Sequence, residues 1–249
     1  MKGRPAVRVA YVRPDRVHTS YLVGVMWLDP TLVRGSLMPG TRDPGGTWPE
    51  PAKLTSALQA TVVAAHNGGF RLPGGQSRGG YYSDGRVVVP LRPGAASLVL
   101  YRDGTAAVGA WGREVTMSPR VSAVRQNLDM LVDGGVVNPS CTQNNTLAWG
   151  YTVGSRYYVP RSGFGTAHGG LVYVGGPAMS VCSLGAVLQA AGAQRGMELD
   201  INNDWITGAY YTHGPSGITA HKLSESVGPG ASHYFSETSR DWFAWFARR

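Results

Sequence analysis

The stretch Met197 to Trp205 carries Glu198, Asp200, Asn202 and Asp204 at alternate positions, with Leu199 and Ile201 between them. Side chains two apart on a strand project to the same face. Read as a strand, the segment sets two carboxylates and an amide along one wall and sends the aliphatics into the core. Close carboxylates push one pKa upward and leave a proton for donation, so Glu198 and Asp200 can act as acid and base or nucleophile. Alternate strand residues stand roughly 6.5–7 Å apart at Cα, close enough for two carboxyl groups to influence each other. The same alternation describes an edge strand with a solvated outer face.

Asp200-x-Asn202-x-Asp204 copies the first three ligands of an EF-hand loop, but Trp205 stands where that loop needs Gly and Tyr211 where it needs Glu. An EF-hand is excluded, and a looser divalent site on Asp200 and Asp204 stays open; no cofactor is expected. The chain has no Gly-x-Ser-x-Gly elbow for serine catalysis. Farther upstream, His66-Asn67-Gly68-Gly69-Phe70 reads as a strand leading into a turn that tolerates positive φ. There the backbone amides are left free to face an anion. The competing reading is an ordinary hairpin turn. His66 and His168 flank glycine turns and are secondary candidates for proton transfer.

These residues need a scaffold. Ala6 to Val12, Tyr21 to Leu28, Thr61 to Ala65, Val87 to Val89, Ser97 to Tyr101 and Ala106 to Trp111 read as strands, as do Tyr157 to Val159, Gly163 to Ala167 and Leu171 to Val174. Gly35 to Pro51 is too rich in Gly and Pro for packed structure and suits a loop over a cleft. Ala52 to Ala60 predicts a short helix. A longer helix is predicted from Ser118 to Gly135, with Ser118 as N-cap, Pro119 in the first position and a stripe of Val121, Val124, Leu128, Leu131 and Val132. Arg125 and Asp129 fall on its polar side and are assigned no chemistry. Another helix is predicted from Ser180 to Ala193. Strand, helix, strand implies an α/β or α+β fold, a mixed, curved sheet packed against a few helices. The C-terminal Trp242-Phe243-Ala244-Trp245-Phe246 is either a membrane-surface anchor or a final core element, and its five residues favour the core.

The chain has 249 residues, 43% of them hydrophobic, enough for one substantial core, so residues 1–249 are expected to form a single domain. The net charge of +8 favours anionic partners, but the basic residues are scattered, so nucleic acid is not expected. No stretch reaches the roughly 18 apolar residues of a membrane helix. The segment after Met1 lacks an apolar signal core, which alone would suggest the cytoplasm. Cys141 and Cys182 fit neither a zinc cluster nor a Cys-x-x-Cys site; one disulfide and two separate buried thiols are both open.

Five pieces in order resemble the phosphodiester glycosidase family, most clearly over residues 61–205: Ala65-His66-Asn67-Gly68-Gly69-Phe70, Asp103-Gly104, Leu131-Val132-Asp133-Gly134-Gly135, Arg161-Ser162-Gly163-Phe164-Gly165 and Glu198-Leu199-Asp200. The family usually shows Arg-Thr-Ala-x-Gly where this chain has Arg-Ser-Gly-Phe-Gly. It also follows its Asn-Leu-Asp with Gly-Gly-Gly-Ser, where this chain has Ile201-Asn202-Asn203-Asp204. The resemblance implies hydrolysis of a glycosyl phosphodiester in an extracytoplasmic glycan or wall polymer. Glu198 and Asp200 would be catalytic and Arg161 would grip phosphate through its planar guanidinium, with His66, Asn67, Gly68, Gly69, His168 and Asn202 around the substrate. It also implies an exported or membrane-anchored protein despite the missing signal, and export would pair Cys141 with Cys182. The lost glycines and the aromatics Trp48, Tyr81, Tyr82, Trp205, Tyr210 and Tyr211 support an alternative, a non-catalytic carbohydrate- or wall-binding module on the same scaffold.

Overall fold

A computed structural model describes residues 3–72 and 77–248. In chain order the strands are β1 (Val7–Val12), β2 (Val23–Leu28), β3 (Val33–Met38), β4 (Val62–Asn67), β5 (Tyr81–Ser83), β6 (Arg86–Val89), β7 (Ala96–Tyr101), β8 (Ala106–Ala110), β9 (Val121–Gln126), β10 (Met130–Asp133), β11 (Val136–Val137), β12 (Val159–Ala167), β13 (Gly170–Met179), β14 (Ala193–Glu198), β15 (Gly208–Gly214), β16 (Gly217–Lys222) and β17 (Trp242–Ala247). Three α-helices join them: α1 (Ser56–Gln59), α2 (Thr146–Trp149) and α3 (Val181–Ala190).

The strands form a seven-stranded sheet in the order β1-β2-β13-β12-β14-β10-β11 and two five-stranded sheets, β16-β15-β4-β17-β3 and β6-β5-β9-β7-β8. Their pairings are antiparallel. The expected mixed α/β sheet is therefore realised as a more sheet-rich architecture. Hairpins supply the turns directly, and α3 is the one helix among the described residues longer than a single turn. Between the sheets Phe164 from β12 stacks on Trp245 from β17 at 5.5 Å, and His66 from β4 stacks on Phe164, Tyr173, Phe243 and Trp245. The C-terminal aromatics are thus core. β17 lies between β4 and β3.

The helix predicted from Ser118 to Gly135 is absent. Residues 121–126 form β9, central in its sheet, and 130–133 form β10 in another sheet. A strand covered on both faces shows no alternation, so its valines imitate a helical stripe. Leu128 takes φ 57°, which no helix allows.

The helix predicted from Ser180 forms, but it ends at Ala190, and Ala193 already opens β14. The Ser180 hydroxyl accepts the Ser183 amide at the α3 N-terminus, and Leu184, Val187 and Leu188 are buried against the seven-stranded sheet. Close packing there needs Gly163, because a Cβ on it would stand 3.1 Å from Leu188 and 3.2 Å from Leu184. Cys182 in α3 is bonded to Cys141, which resolves the two open readings in favour of a disulfide. No helix among the described residues is long and apolar enough to cross a membrane.

Candidate functional site

A cleft of about 680 Å³ opens where several chain segments converge. Arg42 and Asp43 come from the loop after β3, Phe70 and Arg71 from the loop after β4, Leu147 and Tyr151 from α2 and its exit, Asp200, Asn202 and Trp205 from the turn after β14, and Arg240 from just before β17. Arg78 completes a set of four guanidinium groups around it. Gly35 to Met38 of the expected Gly35–Pro51 loop belong to β3, while Arg42 and Asp43 do line the cleft.

Asp200 sits in the floor, 3% exposed. Its Oδ2 pairs with Arg240 at 2.9 Å, and its Oδ1 accepts the amides of Ile201 at 2.8 Å and Asn202 at 2.9 Å. Burial raises its pKa against the opposing pull of Arg240 and these amides. The Arg240 guanidinium also donates to the Gly69 carbonyl at 2.6 Å and lies 4.9 Å from the centre of the Trp205 ring. Buried beneath, Arg125 grips Asp241 through two hydrogen bonds of 2.8 and 3.1 Å and also donates to the carbonyls of Phe70 and Gln126. Asn127 accepts the Phe70 amide and donates to the carbonyls of Glu198 and Leu199, joining the β4 exit to the β14 exit. Sequence reasoning placed Arg125 on the polar face of a helix with no chemistry and did not single out Asn127, Arg240 or Asp241. Arg71 beside the Asn-Gly-Gly motif and Arg240 beside the aromatic strand were the available signals, whereas Arg42, Asp43 and Arg78 had none nearby.

The acidic strand ends at Glu198, and the alternating wall is not formed. Leu199 N–H donates to the Ser162 carbonyl while Ser162 N–H donates to the Asp200 carbonyl, so two residues face one, as in a β-bulge. The extra residue breaks parity and re-aims Asp200. Glu198 stays opposite Gly163 on the α3 side of the sheet, fully buried and ion-paired to Arg161. Arg161 Nε donates to the Met179 carbonyl at 2.9 Å. Burial raises the Glu198 pKa, Arg161 opposes this, and Asp200 adds to it. Neither Glu198 nor Arg161 lines the cleft.

Asn67 is buried with every polar group occupied: Oδ1 accepts Tyr173 OH and Thr207 N–H, and Nδ2 donates to the Gly68 carbonyl and Ser162 Oγ. It is a strut between β4 and β12. The Gly68 amide is also taken, by the Asp241 carbonyl at 3.0 Å. Gly68 is required for space, since a Cβ would fall 2.1 Å from Asp241 Oδ2. Gly69 lines a small recess behind Arg240 together with Asn67 and Gly68.

His66 is core, and burial lowers its pKa to about 3, so it stays neutral and carries no proton to the cleft. His168 is exposed in the β12–β13 turn, seven residues along the strand from Arg161 or roughly 23 Å. Asn202 is exposed at the cleft and shapes its turn, accepting the Asp204 amide on Oδ1. Asp204 is exposed, and among the described residues no group of three His, Cys, Asp or Glu side chains gathers as a metal site.

No known sequence family matches the chain, and no curated protein matches its sequence. Similarity appears in three dimensions. The zebrafish N-acetylglucosamine-1-phosphodiester alpha-N-acetylglucosaminidase catalytic domain, auto-inhibited by its pro-peptide, matches at TM-score 0.60 and 13% identity over 100% of this chain and 86% of that one. A Burkholderia pseudomallei protein named for its expected export matches at TM-score 0.51 and 12% identity over 90% of this chain and 74% of that one. At these identities the likeness is one of fold: this chain is folded like a phosphodiester glycosidase catalytic domain.

Proposed function

We propose that the protein hydrolyses a glycosyl phosphodiester of an extracytoplasmic glycan or wall polymer in this cleft. The observation that carries the reading is that Arg42, Arg71, Arg78 and Arg240 line one cleft together with buried Asp200 and the side chains of Trp205 and Tyr151. Guanidinium groups grip phosphate oxygens in pairs, and sugars stack on aromatic rings. These four arginines take the phosphate-reading role expected of Arg161, because Arg161 is committed to Glu198. An arriving phosphate competes with Asp200 for Arg240, which frees Asp200 Oδ2 to act on the anomeric carbon or on water. The leaving phosphate monoester is a weak base of pKa about 6, and fixed guanidinium groups lower the cost of its developing charge. The fold likeness supports the reaction class. The Cys141–Cys182 bond supports an oxidising, extracytoplasmic compartment.

Release of reducing sugar from a methyl phosphodiester of N-acetylglucosamine 1-phosphate tests the proposal. Wild-type protein should turn over, and Asp200→Asn should lose at least about 100-fold with an unchanged circular dichroism spectrum. Wild-type turnover by the variant would sink the assignment. A second reading, a non-catalytic binder of anionic glycans, is favoured by one observation: both Asp200 oxygens are already engaged. It predicts calorimetric binding of the same diester with no sugar released.

A further inference from the structure

Asp43 is the other carboxylate that lines the cleft. It follows β3 in the chain, and its backbone is held against the segment before β17 by a 2.9 Å bond from its amide to the Ser239 carbonyl. Its side chain is 4% exposed. Oδ2 accepts the Leu72 amide at 3.2 Å, while Oδ1 is buried with no hydrogen-bond partner. Charged and titratable groups facing it are Asp241, Arg125, Arg240 and Tyr81. Arg125 spends its donors on Asp241 and on the Phe70 and Gln126 carbonyls, and Arg240 on Asp200 and Gly69. Neither cation gives Asp43 a hydrogen bond. Burial, with the Asp241 carboxylate adding to it, holds the Asp43 pKa above its ordinary value, against the pull of Arg125, the Leu72 amide and Arg240.

The direction of this shift favours the protonated form, and Oδ1, buried with no protein partner, is the oxygen left to carry that proton. Asp200 has firmer support as an anion, with one guanidinium and two amides against the single amide on Asp43. Carboxyls in one site whose surroundings differ in this way take different roles.

Resting on the hydrolase reading above, we propose that Asp43 is the general acid of the reaction and that the working carboxyl pair is Asp43 with Asp200, with Glu198 outside it. The bond from the anomeric carbon to the phosphate oxygen breaks with its electron pair on oxygen, and that oxygen takes the Asp43 proton. Water bonds to the anomeric carbon and gives a proton to Asp200. One proton leaves Asp43 and one arrives on Asp200, and exchange with solvent restores both. A phosphate monoester of pKa about 6 is a leaving group that an acid with a raised carboxyl pKa is suited to protonate.

The test compares wild type with Asp43→Asn on two substrates of one sugar, the methyl phosphodiester and the glycosyl fluoride, which departs without a proton. On the diester the variant should lose about 10²- to 10⁴-fold and the alkaline fall of kcat/KM should disappear; on the fluoride the loss should narrow to less than about tenfold. Equal losses on both substrates, or full activity on the diester, overturn the acid role while hydrolysis stands. Wild type inert toward both substrates overturns hydrolysis and the acid role with it. Should the variant fail to fold, wild type alone decides. Its diester profile must fall at alkaline pH while the fluoride profile does not, and parallel profiles overturn the proposal.

Discussion

Asp43 and Asp200 both pass from water into the cleft floor under different support, and each carries its cost into the stability of the fold. A carboxyl whose folded pKa lies above its unfolded value binds its proton more tightly in the folded state. Its stabilising effect is therefore complete below the unfolded pKa and lost as pH rises through the folded one. Both residues have raised values, so at neutral pH each is a liability that the protonated form would not be. Asp43→Asn removes the charged form without changing shape, and it should raise the melting temperature at pH 7. The gain should vanish at about pH 3, where wild-type Asp43 is also neutral. Thermal melts at the two pH values check this, and a variant less stable than wild type at pH 7 would show that Arg125 and Arg240 need the Asp43 charge. At this scale the sequence showed Asp200 and Asn67 but not what they do. Asn67 was legible as a polar residue at a turn, yet apart from the neighbouring Gly68 carbonyl its saturating partners Tyr173, Thr207 and Ser162 lie far along the chain. Asp43 lay in a Gly- and Pro-rich stretch with no periodicity to mark it.

Among the elements, the β-bulge at Leu199–Asp200 decides which carboxylate reaches the cleft, and the short segment around α2 builds the opposite wall. That wall has little secondary structure of its own. It is anchored by the Cys141–Cys182 bond to α3 and by the Trp149 indole, which donates to the Ser140 carbonyl at 3.0 Å. The disulfide spans a sequence separation of 41 and contributes up to about 4 kcal/mol in the chain-entropy model. Cys182→Ser should lose a large part of this in denaturant unfolding. It should also weaken diester binding, because Leu147 and Tyr151 follow Cys141 into the cleft wall. Unchanged affinity with lowered stability would show that the wall holds its place without the bond. The sequence marked α3 correctly because its cap and its one-sided stripe agree. It misread residues 118–135 because β9 is covered on both faces, and a run of valines there satisfies helical spacing as readily as strand pairing. The strand reading of the acidic stretch fails after Glu198, because the bulge at Leu199–Asp200 breaks parity and leaves no periodic trace in the sequence.

Across the whole molecule the net charge is +8, and four of its arginines converge on one cleft. A long-range field of this sign speeds the approach of anions and is screened over about 8 Å at physiological ionic strength. The affinity for the diester should therefore fall as salt is raised from 50 to 500 mM, while any affinity for the free neutral sugar stays level. Calorimetry at both salt levels checks this, and parallel behaviour of the two ligands would remove the arginines from recognition. The position of β17 bears on the order in which the molecule can be made. It separates β3 from β4, yet it is translated long after both. Until Trp242 to Ala247 emerge, those two strands have no common partner, and their unpaired edges and apolar faces stand open to other chains. Pairing across so long a stretch of sequence is slow, and the Asp241 that braces Gly68 and Arg125 arrives only with it. Uncovered β3 and β4 edges are therefore an aggregation hazard until β17 is in place, and only then is Arg125 braced beneath the cleft.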